Sequence, residues 1–181
     1  YSLTSIRNLL ERHNLRIYNV KKINVHGGSL RVFVCHSNNK IIPTTSYLKK
    51  MMTNDYKLTK NLNFYRSFQS NYNKLKKNLK NFFLKHQDKK IIGFGAAAKA
   101  STFINIFDLN NYNLNLVIDN AKTKQGEFIS GTNIKVMSPK SIKIKDYDYM
   151  VIFAWNLKKE ILKFIKKFYN KPKIKCVTFV P

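Results

Sequence analysis

The stretch Lys90-Ile-Ile-Gly-Phe-Gly-Ala-Ala-Ala-Lys99 decides the fold of this chain. A short apolar run enters a glycine turn, and helix-forming residues with an apolar face follow as far as Phe107. We expect Gly93 to permit the tight turn and Gly95 to let a ligand approach the backbone. The N-terminus of the following helix offers N–H groups and a positive dipole end to an anion. The pattern predicts either an anion-binding strand–turn–helix unit or a close-packed turn without ligand.

Further strands follow this unit at regular intervals. Apolar runs cover residues 114–118, 132–136, 149–154 and 175–180, and residues 157–168 have the spacing of an amphipathic helix. Strand and helix that alternate over such a length are typical of an α/β fold with a doubly wound parallel sheet. We therefore predict such a sheet over residues 89–181.

The region before residue 89 has a different pattern. It opens with a short helix over residues 2–13, and two strands at 15–20 and 30–35 follow as an antiparallel pair across a Gly-Gly corner. Between residues 58 and 86, apolar residues recur every three or four positions, which predicts one long amphipathic helix of about 43 Å. We expect this helix to pack on its own protein; the alternatives are a self-pairing coiled coil or a helix on a membrane surface.

Candidate binding residues surround the glycine turn. Asp119 ends the next strand, 26 residues after Gly93, where dinucleotide folds place the acid that binds ribose; it is equally suited to a plain turn. Ala96 belongs to the turn itself. Lys99, in the first turn of the helix, is a candidate phosphate contact or a solvated lysine.

Three more clusters carry polar groups and glycines. If residues 15–20 belong to an open parallel sheet, His26 with Gly27 and Gly28 lies at its ligand edge; otherwise these residues form a tight turn. The segment after Asp119 is a binding loop or a solvated connection, and Trp155 with Asn156 either contacts a sugar or base or covers the core. The loop residues considered for binding are Lys124, Gln125, Gly126, Gly131 and Thr132.

Composition excludes several classes. The formal net charge is +25, but the excess is spread along the chain and consists of 29 Lys against 5 Arg. Because arginine is favoured for reading phosphates and bases, this excess favours compositional bias over a nucleic-acid partner.

Two distant cysteines exclude a CxxC-type zinc site, and no metal cluster or nucleophile–base pair is recognised. No apolar run spans a membrane and no signal peptide opens the chain, so we expect a cytoplasmic protein without a membrane partner.

Five motifs occur in a characteristic order. They are His26-Gly-Gly-Ser-Leu-Arg-Val-Phe, Ile-Gly-Phe-Gly-Ala-Ala-Ala-Lys99, Ile118-Asp-Asn-Ala-Lys-Thr-Lys-Gln-Gly126, Ser-Gly-Thr132 and Ala154-Trp-Asn156. Together they resemble the C-terminal region of the SAM-dependent C-methyltransferases that act on nucleotide-linked deoxy-keto-sugars. The chain departs from the usual family pattern at Ala100, Ser101, Ala121, Thr123 and Ser130.

The resemblance implies a domain plan. Residues 1–47 would be the C-terminal end of a class I methyltransferase domain, residues 48–88 a linker with the long helix, and residues 89–181 a Rossmann-like domain that helps to hold the sugar nucleotide. The chain begins at Tyr1 without a Met, and we expect a fragment or a processed product.

The resemblance also implies ligands. The intact enzyme would use SAM, carry zinc in a separate N-terminal domain, and bind a dTDP-sugar or a similar nucleotide-linked sugar in deoxysugar biosynthesis. The SAM loop and the catalytic base would lie upstream, so we expect this chain to hold no cofactor and to be inactive alone, with His26 as the one candidate for a catalytic role. The alternatives are a free-standing module that binds NAD or another nucleotide, and a nucleic-acid-binding protein.

Overall fold

The computed structural model describes residues 1–25 and 27–180. The chain divides into two compact units, Tyr1–Tyr72 and Asn73–Pro181. The domain plan with boundaries after residues 47 and 88 stays a prediction.

The first unit pairs a helical layer with a two-stranded sheet. It contains α1 (Leu3–Glu11), β1 (Leu15–Ile23), β2 (Ser29–His36) and α2 (Ser46–Thr59). The Ser2 hydroxyl accepts the N–H of Ser5 at 3.0 Å and so caps α1. β1 and β2 are antiparallel, and the small core between the layers is formed by Leu3, Ile17, Val20 and Leu48. The predicted helix and antiparallel pair are confirmed.

The helical region between the strands differs from its prediction. The predicted long amphipathic helix is confirmed as α3 (Leu62–Lys85), but it is shorter than the expected range of residues 58–86, because the residues up to Thr59 belong to α2. Asn61 accounts for the break, since its side-chain oxygen accepts the N–H of Asn63 at 2.9 Å. An asparagine in this position starts a new helix more readily than it continues an old one.

The second unit is built on five parallel strands. They are β3 (Ile91–Phe94), β4 (Leu114–Ile118), β5 (Lys135–Met137), β6 (Tyr149–Ile152) and β7 (Lys175–Val177), and their order in the sheet is β5-β4-β3-β6-β7. Two helices connect them, α4 (Ala98–Ile106) and α5 (Lys158–Phe168). On the α5 face, Ile161 and Ile165 pack with buried residues of β3, β4 and β6. The predicted doubly wound α/β fold is confirmed.

Three predicted strands are shorter in the structure, and one of them, expected over residues 149–154, covers Tyr149–Ile152. The strand expected over residues 132–136 covers Lys135–Met137, because the Thr132 hydroxyl donates to the carbonyl of Ile129 at 2.8 Å and accepts the N–H of Ile134 at 3.1 Å. These bonds make a turn of the segment before β5. The closing strand, expected over residues 175–180, ends at Val177.

The strand order sets the position of the site. From β3 the chain moves to β4 and β5 on one side, and then returns to β6 on the other side of β3. Ligands of open α/β sheets bind outside the carboxyl ends of the strands at such a reversal. Phe94 and Ile152 are partners at this end of β3 and β6. Within the described ranges, no helix has the length and apolarity that a membrane crossing requires.

Candidate functional site

The two glycines of the predicted turn meet different constraints in the structure. Gly93 lies inside β3, and a Cβ added there would stand 2.7 Å from Cε2 of Phe153 and 2.7 Å from Cγ2 of Val117. The prediction that Gly93 permits the tight turn is therefore wrong, because its role is to let neighbouring side chains pack. The turn falls at Gly95, whose φ of +94° strains any residue with a side chain.

Asp119 joins the turn after β3 to the loop after β4. One carboxylate oxygen accepts the N–H of Ala96 at 2.7 Å, and the other accepts the N–H of Ala121 at 2.8 Å. The ammonium of Lys124 lies 3.4 Å from the first oxygen, and the Asp119 side chain is 13% exposed. The Asp119 carboxylate is thus the anion that the backbone N–H of the glycine turn binds in this structure.

The loop after Asp119 is held by its own hydrogen bonds. The Gln125 side chain donates to the carbonyl of Asp119 at 2.9 Å, and the N–H of Gly126 donates to the carbonyl of Val136 at 2.8 Å. Gly131 has a φ of +78°, and a Cβ there would lie 2.6 Å from Oδ1 of Asn105. In the structure, Gln125, Gly126, Gly131 and Thr132 shape the loop.

Lys99, Trp155 and Asn156 meet where the strand order reverses. The Lys99 ammonium donates to Oδ1 of Asn156 at 3.2 Å and lies 5.1 Å from the centre of the Trp155 ring. Lys99 belongs to the first turn of α4, and the other two residues follow β6. The structure therefore brings together two motifs that lie more than 50 residues apart in the sequence.

The first turn of α4 adds backbone donors to this cluster. Ala97 precedes the helix and makes no side-chain capping bond. The first N–H groups of an uncapped helix lack intrahelical partners and favour an anion. With Lys99 they form a positively polarised corner at the sheet reversal.

A pocket beside this corner was not predicted from the sequence. We call it the α4 pocket; its volume is about 260 Å³, and its lining includes Ala96, Ala97, Ala98, Ser101, Lys124, Glu127, Phe128 and Ser130. Phe128, which lines one side of this pocket, is 59% exposed. The sequence feature that could have indicated the pocket is Phe128, an aromatic residue in a polar loop between Gly126 and Gly131.

The site predicted at the first glycine corner belongs to another part of the chain. His26 lies outside the described residues. Gly27 and Gly28, with φ of 87° and 120°, stand in the connection between β1 and β2 in the first unit. Because β1 pairs antiparallel with β2, the parallel-sheet interpretation on which the ligand edge at His26 depended is wrong.

The possible metal ligands and the Cys176 thiol are separate from the sheet-reversal cluster. Residues 1–25 and 27–180 contain no group of three His, Cys, Asp or Glu side chains placed to hold a metal ion. Burial raises the pKa of the Cys176 thiol, and the nearby Lys158 opposes this only in part. A protonated thiol is a poor nucleophile, so the raised pKa does not favour Cys176 as a nucleophile.

The comparisons with known proteins agree with these features. Residues 24–181 match a protein family described as C-methyltransferase C-terminal domain. The chain belongs to this family. It is also 26% identical over 173 residues to the C-methyltransferase NovU of Streptomyces niveus, and the match covers 93% of this chain and 40% of that protein. The chain thus spans less than half the length of this relative, and the predicted resemblance to the C-terminal region of C-methyltransferases is confirmed.

The range matched by the C-methyltransferase C-terminal domain extends beyond the parallel sheet. It starts at the end of β1 and includes β2, α2 and α3 together with the whole second unit. The glycine turn, Asp119 and the Lys99 cluster all lie within it. All of these residues therefore lie in the part of the chain that the family model matches.

Proposed function

We propose that the chain is the C-terminal part of a SAM-dependent C-methyltransferase and that it helps to bind a nucleotide-diphosphate-linked keto-deoxysugar. Family membership and the name of the relative support methyl transfer to carbon. The ordered motifs support the sugar nucleotide as substrate. The single observation that carries the binding role is the Lys99–Trp155–Asn156 cluster at the sheet reversal.

Lys99 suits the diphosphate of such a substrate. Its ammonium is held by the Asn156 amide oxygen and by the face of the Trp155 ring. These two contacts position the ammonium at the corner, and a positive charge in this position attracts an anion. The N–H groups that begin α4 approach the same corner. We assign the diphosphate to this corner, with Trp155 and Asn156 beside it.

The residues described at the glycine turn do not fit a SAM site. An adenosine cofactor at a glycine turn needs an acid that reaches its ribose, and the acid at this turn is Asp119. Both Asp119 oxygens already accept backbone N–H groups, from Ala96 and Ala121. In the proposed intact enzyme, SAM, the catalytic base and the zinc domain lie upstream of this chain, as the family resemblance implies.

The reaction defines what this chain must supply. In the proposed reaction a base would remove the acidic proton next to the sugar ketone, and the resulting enolate carbon would take the methyl group as its bond to the sulfonium sulfur of SAM breaks and the thioether leaves. The enolate carbon and the methyl group must be held in line at a distance from which a bond can form. Binding energy from the remote diphosphate can provide this alignment. The contribution of this chain is to anchor the nucleotide end and so to orient the sugar.

Calorimetric titration of the 181-residue chain with dTDP, NAD and SAM tests this proposal. We expect saturable dTDP binding that Lys99→Ala weakens and that Lys163→Ala, at an exposed position of α5, leaves unchanged. SAM and NAD should give no binding heat. Binding of NAD alone would contradict the proposal and favour a free-standing NAD module.

The salt dependence of oligonucleotide binding tests the alternative of a nucleic-acid-binding protein. The net charge of +25 would give oligonucleotide binding that falls steeply as salt is raised. We expect oligonucleotides to bind weakly at physiological salt and to compete poorly with dTDP. Tight oligonucleotide binding that displaces dTDP would revive this alternative.

A further inference from the structure

Another pocket of the second unit lies at the edge of the sheet opposite to the candidate site. We call it the lysine pocket; its volume is about 440 Å³, and its lining residues come from 144–149 and 169–175, together with Lys89. Tyr149 and Lys175 line it and are the paired first residues of β6 and β7. Because ligands of open α/β sheets bind at the carboxyl ends of the strands, a pocket at the amino ends is separate from the site of the sugar nucleotide.

The apolar part of the lysine pocket is fixed in place. The Tyr169 hydroxyl donates to the carbonyl of Pro139 at 2.7 Å, and the Tyr149 hydroxyl is hydrogen-bonded to Nε2 of His86 at 3.0 Å. Because both hydroxyls already have partners, these tyrosines offer their rings to a ligand. The apolar and aromatic lining residues are Ile144, Tyr147, Tyr149, Tyr169, Pro172 and Ile174.

An unusual turn brings one wall of the pocket into place. Asn170 and Lys171 follow α5 with φ values of 51° and 54°, a conformation that residues with a side chain rarely adopt. The N–H of Lys171 donates to the carbonyl of Lys166 at 2.8 Å. The turn ends α5 and sends residues 172–175 along the pocket to β7.

Exposed lysines surround the rings of the pocket. Four of the eleven lining residues are lysine, against 29 of 181 residues in the whole chain, so the pocket is richer in lysine than the compositional bias predicts. The Lys175 ammonium lies 5.8 Å from the centre of the Tyr149 ring. Within residues 1–25 and 27–180, no ion pair or hydrogen bond engages the side chains of Lys145 and Lys173.

Acidic residues offset this charge only in part. Asp148 lines the pocket, but its Oδ2 accepts the N–H of Lys90 at 3.0 Å. Asp88 pairs with Lys89 at 3.0 Å. Asp146 is not among the lining residues. The lining therefore combines an excess of positive charge with a mostly apolar surface.

We propose that the lysine pocket binds a small organic phosphate, with a ring on the tyrosine and isoleucine side chains and the phosphate group at Lys145, Lys173 and Lys175. Lysine binds phosphate as a flexible point charge, and the volume of about 440 Å³ lies within the roughly 300–1,000 Å³ of small-molecule sites. A bare phosphate would leave the apolar surface unused, and an uncharged ring would leave the lysines unused. The inference is independent of the proposed function, because Lys99, Trp155 and Asn156 do not line this pocket.

Phenyl phosphate, which combines one ring with one phosphate group, tests the site when it is titrated into the 181-residue chain and followed by amide NMR signals. We expect saturable shifts at the amides of Tyr147, Asp148 and Lys175, and weaker binding of inorganic phosphate and of benzyl alcohol. Lys99→Ala should leave the shifts at these amides unchanged.

Substitution of the lysines measures their contribution. One exposed charge pair at about 4 Å is worth about 1 kcal/mol, so Lys173→Ala should weaken the binding of phenyl phosphate about fivefold. Lys145→Ala should have a similar effect, and Lys173→Arg should bind as wild type does. Lys163→Ala is the matched control, because Lys163 is an exposed lysine of α5 that does not line the pocket.

Each outcome decides one part of the proposal. If phenyl phosphate gives no saturable shift at the amides of the pocket, or if Lys173→Ala binds it as tightly as Lys163→Ala does, the site is overturned. If inorganic phosphate binds as tightly as phenyl phosphate, the role of the rings is overturned. None of these results touches the proposed function, which depends on dTDP and Lys99.

Discussion

A methyl group added at Gly93 is expected to destabilise the second unit strongly. The new Cβ would lie 2.7 Å from a ring carbon of Phe153 and 2.7 Å from a methyl carbon of Val117, against about 3.5–4.0 Å for an optimal carbon contact. Phe153 and Val117 are both buried, and β4 and β6 flank β3 on both sides. The strand therefore has no free direction in which to move.

Overpacking of this kind costs about 1–3 kcal/mol. Because two rigid neighbours are met at once, we expect Gly93→Ala to lie at about 3 kcal/mol, the upper end of that range. For a unit of about 100 residues, this corresponds to a drop in Tm of at least roughly 10 °C.

Thermal and urea unfolding followed by circular dichroism measure the effect. Gly126→Ala is the matched control, since Gly126 also has a positive φ, +95°, but a Cβ there meets no atom within 4 Å. It should cost only the backbone strain, about 1 kcal/mol. In the double variant Gly93→Ala with Val117→Ala, part of the lost stability should return. A Gly93→Ala protein as stable as wild type would refute the packing role.

Two further predictions concern carboxylates that accept backbone N–H groups. Asp55 accepts the N–H and hydroxyl of Thr4 at 2.8 and 2.6 Å; partial burial raises its pKa, but these hydrogen bonds outweigh burial and leave the pKa below its usual value. This stabilisation is present above the unfolded-state pKa of about 3.9 and is lost as the pH falls through the folded-state value. Asp55→Asn should therefore cost about 1 kcal/mol at pH 7 and little at pH 2, and an equal deficit at both pH values would contradict the interpretation. Asp119→Ala should cost about 1–3 kcal/mol in urea unfolding, because it removes the acceptor of Ala96; unchanged stability would show that the turn does not need it.

The sequence was sufficient to predict the strand–turn–helix unit and the parallel sheet, because both depend on apolar periodicity along the chain. The role of Gly93 was assigned incorrectly for a physical reason. Whether a glycine is needed for its φ or for the absence of a Cβ depends on neighbouring strands, and Phe153 and Val117 are distant in sequence. Spacing alone does not contain that information.

The candidate site was predictable in parts. Lys99, Trp155 and Asn156 were each singled out, and strand order then brought them together. The role of Asp119 was not predictable, since the acid spacing of a dinucleotide fold is the same whether the carboxylate meets a ribose or the N–H of Ala96. The α4 pocket was missed because the loop that carries Phe128 folds back on α4 through contacts of Asn105 and Gly131.

The most direct test of the account is the affinity of dTDP for the wild-type chain and for Lys99→Ala, with Lys163→Ala as control. Loss of a hydrogen bond to a charged group costs about 1.5–3 kcal/mol, so the dissociation constant for dTDP should rise by roughly 10- to 150-fold in Lys99→Ala. Lys163→Ala should bind as wild type does. Equal dTDP affinities of the wild type and Lys99→Ala would contradict the central claim that the sheet reversal binds the diphosphate of the substrate.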